Sequence, residues 1–291
     1  MSNKFTVREP AVAGYFYPAF SEELIYQIEE NFKSKLGPGE LPIPVTNGKH
    51  ELLGLVSPHA GYMYSGHIAA HGFLHLARDG LPDTVVILGP NHTGIGSGVS
   101  IYPAGAWKTP LGTVEIDEEL VNEILKNSAI LDPDISAHRH EHSIEVQLPF
   151  LQYIYSKVNR SFKLVAITML MQDVNTAMDI GNAIYQAVNK LNKRVVVIAS
   201  TDFTHYESHE SAKRKDGFVI RRILDLDPEG MIREVYSRDV TMCGYGPVAA
   251  MLYFSKLSNA KKAILLKYAT SGDVTGDKSS VVAYASIIIT K

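Results

Sequence analysis

The sequence predicts an α/β fold: a single domain over residues 1–291 with a mainly parallel central sheet flanked by helices. Three apolar runs carry that prediction. Leu52-Leu53-Gly54-Leu55-Val56, Thr84-Val85-Val86-Ile87-Leu88 and Arg194-Val195-Val196-Val197-Ile198-Ala199 each read as a strand buried on both faces, and helical patterns lie between strands along the chain. Each run ends in a loop that carries a histidine: Ser57-Pro58-His59-Ala60-Gly61-Tyr62, Gly89-Pro90-Asn91-His92-Thr93-Gly94 and Ser200-Thr201-Asp202-Phe203-Thr204-His205. In an open parallel sheet the C-terminal strand ends share one edge, and ligands bind there. His59, His92 and His205 are therefore expected to converge on one pocket.

The other elements follow in order. Residues 7–18 contain two prolines and a glycine, which exclude a regular helix and leave an extended lead-in. Ser21 reads as an N-cap, with Glu22 and Glu23 in the first turn and Leu24, Ile25, Ile28 and Phe32 at helical spacing; Gly37-Pro38-Gly39 is the stop. Residues 68–78 form a helix whose flank carries His67, His71 and His75. These three pack and hydrogen-bond between helix and sheet rather than bind a metal. Residues 99–102 and 112–116 alternate as strands, joined hairpin-like by 105–111, with Trp107 as a packing anchor. Asp117 caps a helix running to about Lys126. Then come a strand at 162–169, a helix at 173–191, helices at 210–224, 231–236 and 247–257, and closing strands at 263–269 and 281–289. Ser271-Gly272-Asp273-Val274-Thr275-Gly276-Asp277 suits a hairpin loop, and no nucleotide cofactor is expected.

Bulk composition removes several function classes. Net charge is -3 with charges spread throughout, so there is no basic patch for nucleic acid. No apolar run reaches the ~18 residues of a membrane span, and the first six residues have no apolar signal core. A chain this long buries roughly 75% of its unfolded surface and needs no covalent staple. With Cys243 as the one cysteine there is no internal disulfide, which fits a reducing, cytoplasmic setting.

The chemistry-bearing residues cluster at the strand ends. His59 and His92 occupy matched loop positions, and imidazole suits zinc, copper, iron and nickel alike. Cys243, in Thr241-Met242-Cys243-Gly244-Tyr245-Gly246-Pro247, precedes an apolar helix. There the helix dipole favours a thiolate able to bind metal; a small buried apolar residue is the equal alternative. Asp202 and His205 are three apart and read as an oriented base. In His138-Arg139-His140-Glu141-His142-Ser143-Ile144-Glu145, residues 141–145 face the pocket and His138 lies on the surface. His142 is a candidate catalytic group, and Glu145 either orients it or contacts substrate.

On these pieces the chain resembles the MEMO family. Ala11-Val12-Ala13-Gly14-Tyr15-Phe16-Tyr17-Pro18, the His59 and His92 loops, Glu141-His142-Ser143-Ile144-Glu145-Val146-Gln147-Leu148-Pro149, the Asp202–His205 loop with Tyr206, and Cys243-Gly244-Tyr245-Gly246-Pro247 follow in family order. That family is similar in fold to the class III extradiol ring-cleaving dioxygenases. The resemblance implies a metal pocket in which His59 and His92 match two iron-ligating histidines and His205 an acid/base histidine. Cys243 stands where those enzymes use a glutamate as third ligand. A soft thiolate in place of a carboxylate admits iron, copper or zinc. The expected function is metal-dependent redox chemistry, with His205, Asp202 and His142 as catalytic residues. The alternative is a module that grips a small molecule or peptide with a rim of Tyr15, Tyr62, Tyr64, Trp107 and Tyr245. Zinc-activated water would make a hydrolase of the same site.

Overall fold

In the computed structural model residues 6–291 are described; the stretch 1–5, read above for its lack of a signal core, lies outside them. Four apolar runs make the parallel centre of the sheet: β1 (Leu52–Ser57), β2 (Thr84–Pro90), β4 (Lys163–Met169) and β5 (Val195–Ser200). Their spatial order is β1-β5-β2-β4, with Gly54 opposite Val197, Val86 opposite Val197 and Val86 opposite Val165. Nearly every residue of these strands is buried, as expected where helices cover both faces. Both flanks are antiparallel. β7 (Val281–Thr290) lies beside β1 with β6 (Lys262–Thr270) outside it, and β3 (Val99–Ile101) pairs with β4. Short strands His205–Glu207 and Asp132–Pro133 complete the order.

Helices follow the apolar periodicity closely. α1 (Ser21–Lys33), α2 (His67–Asp79) and α4 (Leu148–Ser156) pack together, with α2 against the sheet. α3 (Glu118–Asn127), α5 (Val174–Leu191), α7 (Pro228–Ser237) and α8 (Tyr245–Leu257) cover the opposite face, and α6 (His209–Leu224) lies against β6 and α7. Asp117, Asp173, Ser208 and Asp227 each cap a helix by accepting backbone N–H groups. Ser21 does not: Phe20 holds the cap position of α1 without a side-chain bond. That helix also stops at Lys33, before Gly37-Pro38-Gly39. Ser271–Thr275, expected as loop, is a short helix closed by a Thr270–Asp273 capping box.

The hairpin is shifted from its expected place. Ala106–Thr109, expected as connector, is a strand that pairs antiparallel with Gly112–Glu115 and parallel with Val7–Arg8. Val99–Ile101 instead joins the main sheet. Trp107 is the cause: fully buried beside Tyr102, it commits its run to the sheet pleat. The α2 histidines also differ in direction. His67 and His71 bond to Ser34 and to the Leu36 carbonyl, toward the chain after α1 rather than the sheet.

Candidate metal centre

The parallel strand ends deliver the site. β1 leads into His59, β2 into His92, and β5 into Asp202, while the segment between Asp132–Pro133 and α4 brings Glu141 and His142 across them. Two glycines permit the close approach. A side chain at Gly89 would lie 2.3 Å from Ser143 Oγ, and one at Gly244 would lie 2.5 Å from the Ser200 carbonyl.

His59, His92 and His142 present ring nitrogens that all lie within 4.8 Å of one another. Their rings make a three-sided box: His92 and His142 stack at 4.6 Å, and His59 stands edge-on to each, at 5.2 and 5.4 Å. His59 is at the buried back and His92 at the exposed mouth.

Hydrogen bonds fix two of the tautomers. His59 Nδ1 lies 2.9 Å from Ser200 Oγ, whose single proton goes to the Ser143 carbonyl at 2.6 Å. Gln147 Nε2 donates to the same oxygen. Ser200 can therefore only accept from His59, which places the proton on Nδ1 and leaves Nε2 bare. His92 Nδ1 lies 3.0 Å from Glu141 Oε1, so it too carries the proton and frees Nε2. A carboxylate or hydroxyl behind the ring is the usual support of a metal-binding imidazole.

Glu141 is the hub. Its buried carboxylate accepts the backbone N–H groups of His92, His142 and Ser143 as well as the His92 ring. Burial works against the charge, but the His92 hydrogen bond and both histidines outweigh it and hold the pKa down at about 2. For His92, burial is likewise overcome by Glu141 and the net shift is upward. Burial dominates at His142, whose pKa falls to about 4, and at His59, which is held well below the ordinary value. The back of the box is thus neutral imidazole, the form that ligates metal.

Cys243 Sγ stands 3.2 Å from His59 Nε2 and accepts the Asp202 N–H at 3.2 Å. The helix dipole does not make it a thiolate: burial and then the charge of Asp202 push the thiol up. Asp202 is pushed up to about 6 by its own burial. Its Oδ1 accepts the His59 N–H at 2.8 Å. It does not orient His205, whose Nδ1 donates to the Thr241 carbonyl at 2.8 Å.

A match to the Memo-like protein family covers residues 8–288. The chain belongs to the Memo family. It is 53% identical to a MEMO1 family protein of Methanopyrus kandleri, over 97% of this chain and 98% of that one. It is 51% identical to one of Methanocaldococcus jannaschii, over 97% and 99%, and 48% identical to one of Ignicoccus hospitalis, over 97% and 98%.

Several expected site residues of this Memo chain lie elsewhere. Glu145 is wholly buried and accepts from Arg8, Tyr17, Ala11 N and Val12 N, which uses both its oxygens. The orienting carboxylate is Glu141. Tyr62 is 2% exposed and gives its hydroxyl proton to the Val146 carbonyl, so it packs behind the site and contributes nothing to a rim. Trp107 is buried under the Arg8 guanidinium, 4.2 Å away. His138 is not on the surface: it sits edge-on between Tyr102 and Trp107, and burial pushes its pKa down to about 3. Tyr15 is 88% exposed and lines, with Phe20, Met63 and Tyr64, a cavity of about 440 Å³. Phe16 joins that cavity to the cluster, with its ring 4.7 Å from His142. Tyr245 bonds Tyr236, hydroxyl to hydroxyl, at 3.0 Å. Ser200, Gln147 and Ser143 escaped the sequence reading because short polar residues at strand ends and turns carry no periodic signal. Among the described residues no helix is long and apolar enough to cross a membrane.

Proposed function

We propose that this chain is a metal-dependent oxidoreductase of dioxygenase-like design, acting on a flat small molecule. The observation that carries the reading is the set of ring nitrogens within 4.8 Å of one another, two of them with the proton fixed on the far nitrogen. The donor set fits a metal: imidazoles from His59, His92 and His142, with the Cys243 sulfur adjoining His59. An iron or copper ion held by these residues would supply electron transfer and Lewis-acid activation of substrate. The protein's own groups do the remainder. Glu141 and Ser200 hold the rings in their ligating tautomers. His205, with Nδ1–H donated to Thr241, keeps Nε2 free to take or return a proton. Tyr15 and Phe16 offer flat apolar surface beside His142.

Metal analysis after anaerobic loading with Fe(II), Cu(I) or Zn(II) tests the reading. One equivalent is expected in the wild type and under a tenth of that in His59→Ala and in His92→Ala. No uptake of any of the three ions by folded wild type rejects it. Zinc alone retained, with the redox ions excluded, favours a hydrolase.

A second reading rests on the exposed aromatic shelf. With Tyr15 at 88% and Phe20 at 71% exposure, the shelf offers a gripping surface for a peptide or small molecule without chemistry. In that case Tyr15→Ala with Phe20→Ala abolishes ligand capture and His205→Ala leaves it intact.

A further inference from the structure

β6 is an edge without a cover. Among the described residues it pairs with β7 on one side and with no strand on the other. Six consecutive residues, Ala263 to Tyr268, are half-exposed, whereas the central strands are buried almost throughout. A long unpaired edge of this kind is a template for another strand.

The helix beside it is shaped to match. Lys213, Gly217, Arg221 and Leu224 fall at helical spacing on one stripe of α6. With Leu265 and Tyr268 they line a groove of about 440 Å³. Gly217 occupies the middle of this helix, where glycine is a poor choice. Nothing internal requires it: a Cβ there would meet no atom within 4 Å. The open space lies over the groove, where it allows a second backbone to come close.

Charge selects the occupant. Lys213 and Arg221 on α6 and Lys262 on β6 are exposed, and among the described residues none has an ion-pair partner. Among the described residues that line the groove, Asp225 is the one acid. This basic rim stands on a chain of net charge -3. A second copy pairing edge to edge about a two-fold axis would bring Lys213 of one copy toward Arg221 of the other, cation to cation, which is how edge strands repel their own kind. An acidic partner gains from them.

We propose that the β6 edge and the α6 groove form a docking site for an extended acidic peptide. The peptide adds as a strand, with the side chains that alternate onto the α6 face laying their stems over Leu265 and Leu224 and their carboxylates toward Lys213, Arg221 and Lys262. The site is independent of the histidine cluster.

The test uses the full-length chain and a fluorescein-labelled peptide alternating Glu and Val over eight residues, read by anisotropy. A Lys/Val peptide of the same length is the control. The Glu/Val peptide is expected to bind at least tenfold more tightly than the control. Gly217→Leu, which fills the groove, and the pair Lys213→Glu with Arg221→Glu are each expected to weaken it at least tenfold. N-methylation of alternate peptide residues should do the same. Circular dichroism and urea midpoints check that these exposed variants fold, and Gly217→Ala serves as a milder second variant. Equal binding of the two peptides, or unchanged affinity in folded Gly217→Leu, overturns the proposal. So does light scattering that shows a wild-type dimer made monomeric by Gly217→Leu, because the occupant is then a second copy.

Discussion

Cys243 Sγ lies 3.2 Å from His59 Nε2, on the side of the ring away from Ser200. Because the His59 proton is held on Nδ1, the thiol is the donor and the bare nitrogen accepts. A cation that takes both groups as ligands must displace that thiol proton. Its affinity should therefore rise with pH, in the direction set by the upward shift of the thiol. Competition titration with a chelator at pH 6 and pH 8 is expected to show at least about tenfold tighter Cu(I) binding at the higher pH. In Cys243→Ser the pH dependence should shrink and Cu(I) affinity fall about a hundredfold, since a hydroxyl is a poor ligand for a soft ion. If His142→Ala loses the metal and Cys243→Ser keeps it unchanged, the third ligand is the imidazole.

Ser200 makes the second test. Its oxygen receives from His59 and Gln147 while its proton goes to Ser143. Ser200→Ala removes the group that holds the His59 tautomer. Metal affinity should drop about 10–100-fold, as it does when such outer partners are lost. Stability should fall by about 1–3 kcal/mol, from the buried donors and acceptor left without a partner. Urea unfolding of the metal-free protein separates the two effects.

How far the sequence reaches is clear from these residues. β1, β2 and β5 are apolar runs, the first two bounded by Gly/Pro loops, and a strand buried on both faces leaves just that trace. Parallel order then puts the loops of His59 and His92 at one edge. His142 was visible as a histidine near a helix start, but residues 141–147 are turns and a single 3₁₀ turn, where no period tells which way a ring points. For that reason the sequence does not tell Glu141 from Glu145 as the orienting carboxylate. They lie four positions apart, and Arg8, more than 130 positions away, decides which carboxylate is spent on structure. The burial of His138 is likewise tertiary, made by Tyr102 and Trp107 closing on it.

The Glu141 carboxylate predicts acid sensitivity. Its folded pKa of about 2 lies below the ordinary 4.5, so the stabilisation it contributes is fully present above about pH 4.5 and is lost as pH falls toward 2. The size is about 3 kcal/mol for a shift of this order. Glu141→Gln keeps the shape and removes the charge. Urea midpoints of the metal-free protein should differ more between variant and wild type at pH 7 than at pH 3. A constant gap across that range contradicts the assignment.

Arg8 ties the N-terminal strand to the histidine loop. Nε donates to the His138 carbonyl at 2.8 Å, Nη2 to the Glu141 carbonyl at 2.6 Å, and Nη1 to Glu145 at 2.5 Å, while the guanidinium plane covers Trp107. Lysine carries the same charge but not the planar fork. Arg8→Lys therefore leaves at least one of the two loop carbonyls unbonded and loses the stacking on Trp107. It should cost about 2–4 kcal/mol in urea unfolding, toward the range for a broken buried pair. Because the carbonyls belong to the segment that carries Glu141 and His142, the loss should also reach the site. Hydrogen exchange at residues 138–143 is expected to speed up, and metal affinity to fall, while the β4 core stays protected. If Arg8→Lys destabilises the protein globally but leaves affinity and exchange in that loop unchanged in the folded fraction, Arg8 serves the fold alone.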